Sequence, residues 1–216
     1  MLEKMDDFFA QRVDGYDEHM KTNIRGADEF YSFTASLLPK ISGAMVLDLG
    51  CGTGLELEEY FLLNGSAVIT GIDLSISMLN ALKKKFPDKN MTLIHNSYFD
   101  EPFGEAVFDA AVSVESLHHF TAEKKEKLYH KLHASLKKNG YFVLTDYFAE
   151  SEASEQEYFE NLKKIRRDQG ISDDSFYHYD TPLTVEHETE ALLNAGFSSV
   201  EIQKSWGATY TLIAYK

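Results

Sequence analysis

The first forty residues carry apolar positions at helical spacing. In "GADEFYSFTASLLP", Phe30, Phe33, Leu37 and Leu38 fall on one stripe, and Pro39 ends the run. From Ala44 the pattern changes to short apolar runs, "AMVLDLG", "AVITGID", "MTLIHN", "FDAAVSV" and "YFVLTDYF", separated by amphipathic ones. "LELEEYFLL" and "SISMLNALKKKF" predict two helices, the second with Ser75 as N-cap. Thr121 is expected to cap a third, "AEKKEKLYHKLHASLKKNG", in which Leu128, Leu132 and Leu136 recur every four residues. Lysines crowd the last turn of that helix, and Asn139-Gly140 is its predicted stop. Such alternation predicts an α/β fold with a doubly wound, mostly parallel sheet and helices on both faces.

Near the end, "TVEHETEALLNAGF" restores a helical pattern stopped at Gly196. "SSVEIQKSW" and "ATYTLIAYK" follow, joined by a turn around Gly207 that is too short for a helical crossover. The last strand of a seven-stranded sheet is therefore expected to run antiparallel. Residues 150–182 break the rhythm: they are charged, partly helical and rich in tyrosine, and they follow the fifth strand. A single domain over 1–216 is expected, with a helical segment at 1–40 and a cap insertion at 150–182.

Composition narrows the function. A net charge of −14 argues against a nucleic-acid backbone as partner, because phosphate binding requires clustered Lys and Arg. Cys51 is the only cysteine, so neither an internal disulfide nor a Cys-rich metal site is available, and no metal is expected. The N-terminus lacks a signal-peptide core, and no apolar run reaches membrane-spanning length. A cytoplasmic protein without a membrane partner is the expectation; the oligomeric state is not legible.

The stretch "LDLGCGTGLELE" holds the candidate site. Gly50, Gly52 and Gly54 are spaced G-x-G-x-G, not in the G-x-G-x-x-G order of a pyrophosphate-binding turn. Asp48 stands just before them, where an anionic ligand would be unwelcome. A ligand with a cationic amine and no phosphate fits better, and S-adenosylmethionine is one. Asp73, at the end of the second strand in "GIDLS", is placed to accept from both ribose hydroxyls.

From Ala44 to Phe148 the chain resembles the class I S-adenosylmethionine-dependent methyltransferases, with "VLDLGCGTG", "GIDLS", "FDAAVSVESLHHF" and "LKKNGYFVLTD" in the family's order. "LLNAGFSSVEI" is similar to the family's final helix-strand unit. The resemblance implies a Rossmann-like methyltransferase fold and S-adenosyl-L-methionine as cofactor. It assigns Gly50, Cys51, Gly52 and Gly54 to the loop around the cofactor's methionine and sugar, with Asp48 near its amine and Asp73 on the ribose. Leu74 and Met78 would pack near the adenine, although helical Met78 suits a core position equally. After the third strand the family often has Gly-Asp-Ala; here Asn96-Ser97-Tyr98 stands instead. Asn96 or Ser97 could accept from the adenine amine, or simply form a turn. Glu115 is expected to border the pocket, with Val114 beneath it.

Methyl transfer needs orientation and a dry pocket more than a fixed catalytic group. The candidates for chemistry are accordingly several: Tyr16 and His19 in the N-terminal segment, His118 and His119 after the fourth strand, and Asp146 and Tyr147 at the end of the fifth. Tyr177, His178 and Tyr179 could wall an acceptor pocket from the cap. The four arginines, Arg12, Arg25, Arg166 and Arg167, are the only ones that could meet an anionic acceptor. A small-molecule methyltransferase is the main reading. "KTNIRGADEFY" also resembles the N-terminal part of carboxy-S-adenosylmethionine synthases, which share the fold but transfer no methyl group to an acceptor. A nicotinamide oxidoreductase is disfavoured by the glycine spacing, and a cofactor-binding protein without catalysis is the remaining alternative.

Overall fold

In the computed structural model, which describes residues 1–172 and 176–216, a seven-stranded sheet organises the chain. Its strands are β1 (Met45–Leu49), β2 (Val68–Asp73), β3 (Met91–His95), β4 (Phe108–Val114), β5 (Leu136–Tyr147), β6 (Ser199–Trp206) and β7 (Thr209–Tyr215). They lie in the order β3-β2-β1-β4-β5-β7-β6. The first five pair in parallel, and β7 runs antiparallel to both β5 and β6, as the short turn at Gly207 requires. Strand order reverses between β1 and β4, so their carboxyl ends open a crevice there.

Alternation along β1 sends Val46 to one face and Leu47 to the other, and both are fully buried. On the Val46 face lie α3 (Ala27–Leu37) and α4 (Leu55–Leu63), which contribute Phe30, Tyr31, Leu57 and Tyr60 to one core. On the Leu47 face lie α6 (Ala122–Ser135) and α8 (Val185–Asn194), with Leu128, Leu132 and Leu192 in a second core. In α3 the expected stripe is offset: Phe30 and Leu38 are buried, Phe33 and Leu37 only half-buried, and Tyr31, Thr34 and Ala35 complete the inward face. The N-terminal block divides into α1 (Met5–Arg12), α2 (Tyr16–Asn23) and α3, separated by a one-turn helix at Val13–Gly15 and by Gly26. After β2, α5 (Ile76–Lys85) starts where expected, with Ser75 Oγ accepting from Met78 N–H at 3.4 Å. The region 150–182 begins with α7 (Glu152–Gln169), and its described residues beyond that helix form no further helix or strand; residues 173–175 lie outside the described residues.

One helix ends earlier than its pattern predicts. α6 stops at Ser135, and Leu136 already pairs with Phe108 in the sheet. Its last carbonyls are taken by distant groups: Ala106 N–H bonds Ala134 O at 3.0 Å, Val107 N–H bonds Ser135 O at 2.7 Å, and Lys216 Nζ bonds Leu136 O at 2.7 Å. Lys137 instead pairs with Asp109 at 2.8 Å, and Asn139 turns the chain at φ +66°. Thr121 makes no side-chain cap. Tertiary partners decide this end, and local spacing cannot register them.

Candidate functional site

The glycine loop leaves β1 with Gly50, Gly52 and Gly54 at φ +74°, +46° and +72°. Its glycines serve different ends. A Cβ on Gly54 would sit 2.5 Å from Leu82 Cδ1, so that glycine lets α4 approach α5. A Cβ on Gly52 would have no neighbour nearer than Gly50 O at 3.9 Å, so bare backbone faces open space there. Gly52 N–H donates to Asp73 Oδ2 at 2.9 Å, and Ser75 N–H donates to Asp73 Oδ1 at 2.7 Å. Burial raises the Asp73 carboxyl above its ordinary value, and those two N–H groups oppose the rise. Each oxygen keeps a lone pair for a further donor.

Gly50, Gly52, Asp73, Leu74, Met78, Tyr98, Val114 and Glu115 line a narrow slot at the crevice. Asp48 and Cys51 lie behind it. The Cys51 sulfur packs against Gly71, where a Cβ would meet it at 2.8 Å. Asn96 and Ser97 do not line the slot: Asn96 Nδ2 bonds Glu101 at 2.8 Å, and Ser97 Oγ accepts from Phe99 N–H at 3.2 Å. They make a turn, and Tyr98 is the residue of this trio that reaches the site.

Asp48 is 1% exposed and Glu56, on α4, is 5% exposed. Both Asp48 oxygens and Glu56 Oε1 lack hydrogen-bond partners of good geometry. Burial, and then each carboxyl's proximity to the other, raises Asp48 well above the usual range; burial also raises Glu56. An acidic pair of this kind awaits a cation or shares a proton. The open backbone at Gly52, the spare lone pairs of Asp73 and these orphaned oxygens together fit a ligand carrying a ribose and an ammonium.

The N-terminal block closes the slot from above. Thr53 Oγ1, in the glycine loop, donates to Asp17 Oδ1 at 2.5 Å, and Lys85 Nζ bonds Asp17 Oδ2 at 2.6 Å. Met5, Phe9 and Tyr16 therefore sit in the slot wall and leave a free volume of about 50 Å³. Drug-sized ligands occupy pockets of roughly 300–1,000 Å³, so the slot by itself is smaller than such a ligand needs. Burial, then Asp73, Glu56, Glu115 and Asp17, hold the Tyr16 phenol far above its ordinary value, so it stays neutral.

Beside the slot lies a cavity of about 1040 Å³. Phe9, Tyr16, Glu115 and His119 line both spaces. Glu115 adopts φ +49°, a strained conformation for a non-glycine residue, and its side chain is 9% exposed. Burial pushes its carboxyl up to about 7; Asp146 and Asp180 add to the rise, while His118 and a 3.1 Å bond from Thr209 Oγ1 oppose it.

His118 and His119 also line this cavity. His118 Nδ1 lies 2.5 Å from Asp146 Oδ1, and Asp146 Oδ2 accepts from the Leu117 and His118 N–H groups at 2.8 and 3.1 Å. Burial alone would lower the His118 imidazole, but the Asp146 carboxylate holds it up at about 9. Burial and then the neighbouring His118 push His119 down to about 4. Asp180 Oδ1 lies 3.2 Å from His119 Nδ1 and 3.7 Å from His118 Nε2.

The remaining candidates divide. Tyr147 lines the cavity, and its hydroxyl meets Tyr158 of α7 at 3.0 Å. His19 lines it from an exposed position. Of the cap residues 177–180, His178 and Asp180 face the cavity, whereas Tyr177 and Tyr179 are not among its walls. Arg12 and Arg25 line it too; Arg167 is exposed beside Asp168 at 3.7 Å. Asp180, Glu56 and Thr209 escape the sequence reading. Asp180 follows a run of four aromatic positions that draws the eye, and Glu56 resembles any polar residue on a first helical turn.

Residues 46–140 match the family described as "Methyltransferase domain". Over its whole length the chain is 24% identical to carboxy-S-adenosyl-L-methionine synthase of Campylobacter fetus subsp. fetus, covering 96% of that protein. A solved putative O-methyltransferase from Nostoc punctiforme shares the fold at a TM-score of 0.74 and 20% identity, over 100% of this chain and 62% of its own. Human N-acetylserotonin methyltransferase, solved with S-adenosylmethionine, gives 0.66 and 19%, over 98% of this chain and 56% of its own. This chain thus spans less than two thirds of either solved neighbour, and the likeness to them is one of fold. Among the described residues, no helix is long and apolar enough to cross a membrane.

Proposed function

We propose, from the premise that this chain belongs to the class I S-adenosylmethionine-dependent methyltransferase family and uses S-adenosylmethionine as cofactor or substrate, that it methylates a small-molecule acceptor held in the larger cavity. One observation carries this reading: the slot beside the glycine loop adjoins that cavity, and four side chains wall both. When bound, S-adenosylmethionine supplies an electrophilic methyl group on a sulfonium.

The chain's own residues divide the remaining work. Gly52 offers bare backbone, Asp73 takes the ribose hydroxyls, and Leu74 and Met78 flank the adenine. The Asp48–Glu56 pair attracts the ammonium. Glu115, at the junction of the two spaces, receives the acceptor's proton. Aromatic groups of the N-terminal block and the 150–182 segment exclude water from the junction. These two segments are joined: Met5 N–H bonds Phe176 O at 3.1 Å, and His178 N–H bonds Glu3 O at 3.0 Å. We read 150–182 as a cap on that basis. A concave cavity in a chain of charge −14 favours a small acceptor over a nucleic acid.

A carboxy-S-adenosylmethionine synthase-like reaction is the second reading, favoured by Arg12 and Arg25 in the cavity wall, where they could meet an added carboxylate. Mass spectrometry of the adenosyl product separates the two. S-adenosylhomocysteine together with a methylated acceptor supports methyl transfer; a carboxylated S-adenosylmethionine refutes it. Within the first reading, Glu115→Gln lowers kcat about 10²–10⁴-fold while S-adenosylhomocysteine affinity stays near wild type, checked by steady-state kinetics and calorimetry.

A further inference from the structure

His118, His119 and Asp180 converge on one point of the large cavity's wall, and their nitrogen and oxygen atoms all lie within 4.8 Å of one another. We propose that these three side chains form a binding site for a divalent first-row transition-metal ion, with its open coordination positions facing the cavity. This departs from the sequence-based expectation of no metal, which considered cysteine-rich sites.

The geometry supports it in three ways. Metal–nitrogen and metal–oxygen bonds of about 2.0–2.2 Å place tetrahedral ligands roughly 3.4 Å apart. Asp180 Oδ1 stands 3.2 Å from His119 Nδ1 and 3.7 Å from His118 Nε2, so the spacing matches a ligand set. His119 Nδ1 is fully buried, its side chain is 5% exposed, and it has no well-aligned hydrogen-bond partner. His119 Nδ1 and Asp180 Oδ1 stand at contact distance but poorly aligned for a hydrogen bond, an arrangement that a shared metal ion would satisfy. Finally, His118 presents Nε2 because its Nδ1 is held by Asp146, and Asp146 is itself fixed by three backbone N–H groups. A carboxylate behind a histidine in this way orients a metal-binding imidazole.

A second grouping, Glu115, His118 and Asp146, would require His118 Nδ1, which is already bonded to Asp146. The first set leaves that bond intact. Two imidazoles and one carboxylate with free positions suit Zn²⁺, Fe²⁺, Co²⁺ or Ni²⁺ over Mg²⁺ or Ca²⁺. Such an ion would hold an oxygen, nitrogen or sulfur donor of whatever molecule fills the cavity.

The test uses the full chain stripped of metal with a chelator. It is titrated with Zn²⁺ by calorimetry and with Co²⁺ by absorption spectroscopy, without adenosyl ligand. One equivalent bound at micromolar affinity or tighter is expected. His119→Ala and Asp180→Asn should weaken Zn²⁺ at least tenfold, and Asp146→Asn about 10–100-fold. His130→Ala, on the exposed face of α6, should change nothing. If a variant fails to fold, histidine-labelled NMR of the wild type replaces it, and Zn²⁺ must shift His118 and His119 before any of the other six. Absence of saturable binding overturns the proposal, as does binding that survives His119→Ala or shifts confined to other histidines. S-adenosylhomocysteine affinity, measured on the same preparations, separates a failure here from a failure of the methyltransferase reading.

Discussion

Two buried charged clusters lie on opposite faces of the sheet, and only one of them closes on itself. On the α6–α8 face, Lys125 Nζ donates to Glu188 Oε2 at 2.6 Å, and the Tyr129 hydroxyl donates to the other Glu188 oxygen. Lys125 and Glu188 are each 1% exposed, and the two helices are joined through them. On the α4 face, Asp48 and Glu56 are also buried, are both acids and leave three oxygens without well-aligned partners. A charge buried for the fold arrives with its counter-charge; a charge buried for a ligand leaves that place open.

The difference predicts opposite responses to mutation. Lys125→Ala strands the Glu188 carboxylate and should cost about 3–5 kcal/mol of stability, read by urea denaturation, with no change in ligand affinity while the protein is folded. Adding Glu188→Leu should recover much of that loss. If the single variant is as stable as wild type, the cluster is not closed.

Asp73 stands between the two cases, since its oxygens accept two backbone N–H bonds and retain capacity for more. Asp73→Ala should lose on the order of 2–4 kcal/mol of S-adenosylhomocysteine affinity and also about 1–3 kcal/mol of stability, because the Gly52 and Ser75 amides lose their acceptor. Calorimetry and denaturation on one preparation check both. A loss of stability alone would make Asp73 a loop support only.

Glu56→Gln gives the smallest effect and the sharpest contrast. Removing one of two crowded carboxyls should leave stability unchanged or raise it, while affinity for an ammonium-bearing ligand falls about 10–100-fold. A variant that loses stability in denaturant would place this pair in the same class as Lys125–Glu188.

Legibility followed the range of the interactions. Strand and helix positions were readable because period-2 and period-3.6 patterns are local, and Ser75, Gly54 and Gly196 punctuate them. The end of α6 was not, since Lys216 and Val107 cap it from elsewhere in the fold. In the slot, Gly52 and Asp73 were visible from spacing along one β-α-β unit. Glu56 was not, because nothing in "LELEEY" shows which glutamate turns inward. The gathering of His118, His119 and Asp180 spans about sixty residues of chain and depends on the path of the 150–182 segment. Asn96 and Ser97 were candidates by position in the family pattern, yet their side chains are spent on their own turn.

The central claim is that the orphaned Asp48–Glu56 pair makes the glycine-loop slot a site for an adenosyl ligand bearing an ammonium. Calorimetry comparing S-adenosylhomocysteine with 5′-methylthioadenosine, which shares the adenosine and sulfur but lacks the amino acid portion, tests it most directly. The account predicts that wild type binds S-adenosylhomocysteine at least tenfold tighter and that Asp48→Asn with Glu56→Gln erases the advantage. Equal affinities in the wild type, or an advantage that survives both substitutions, would contradict it.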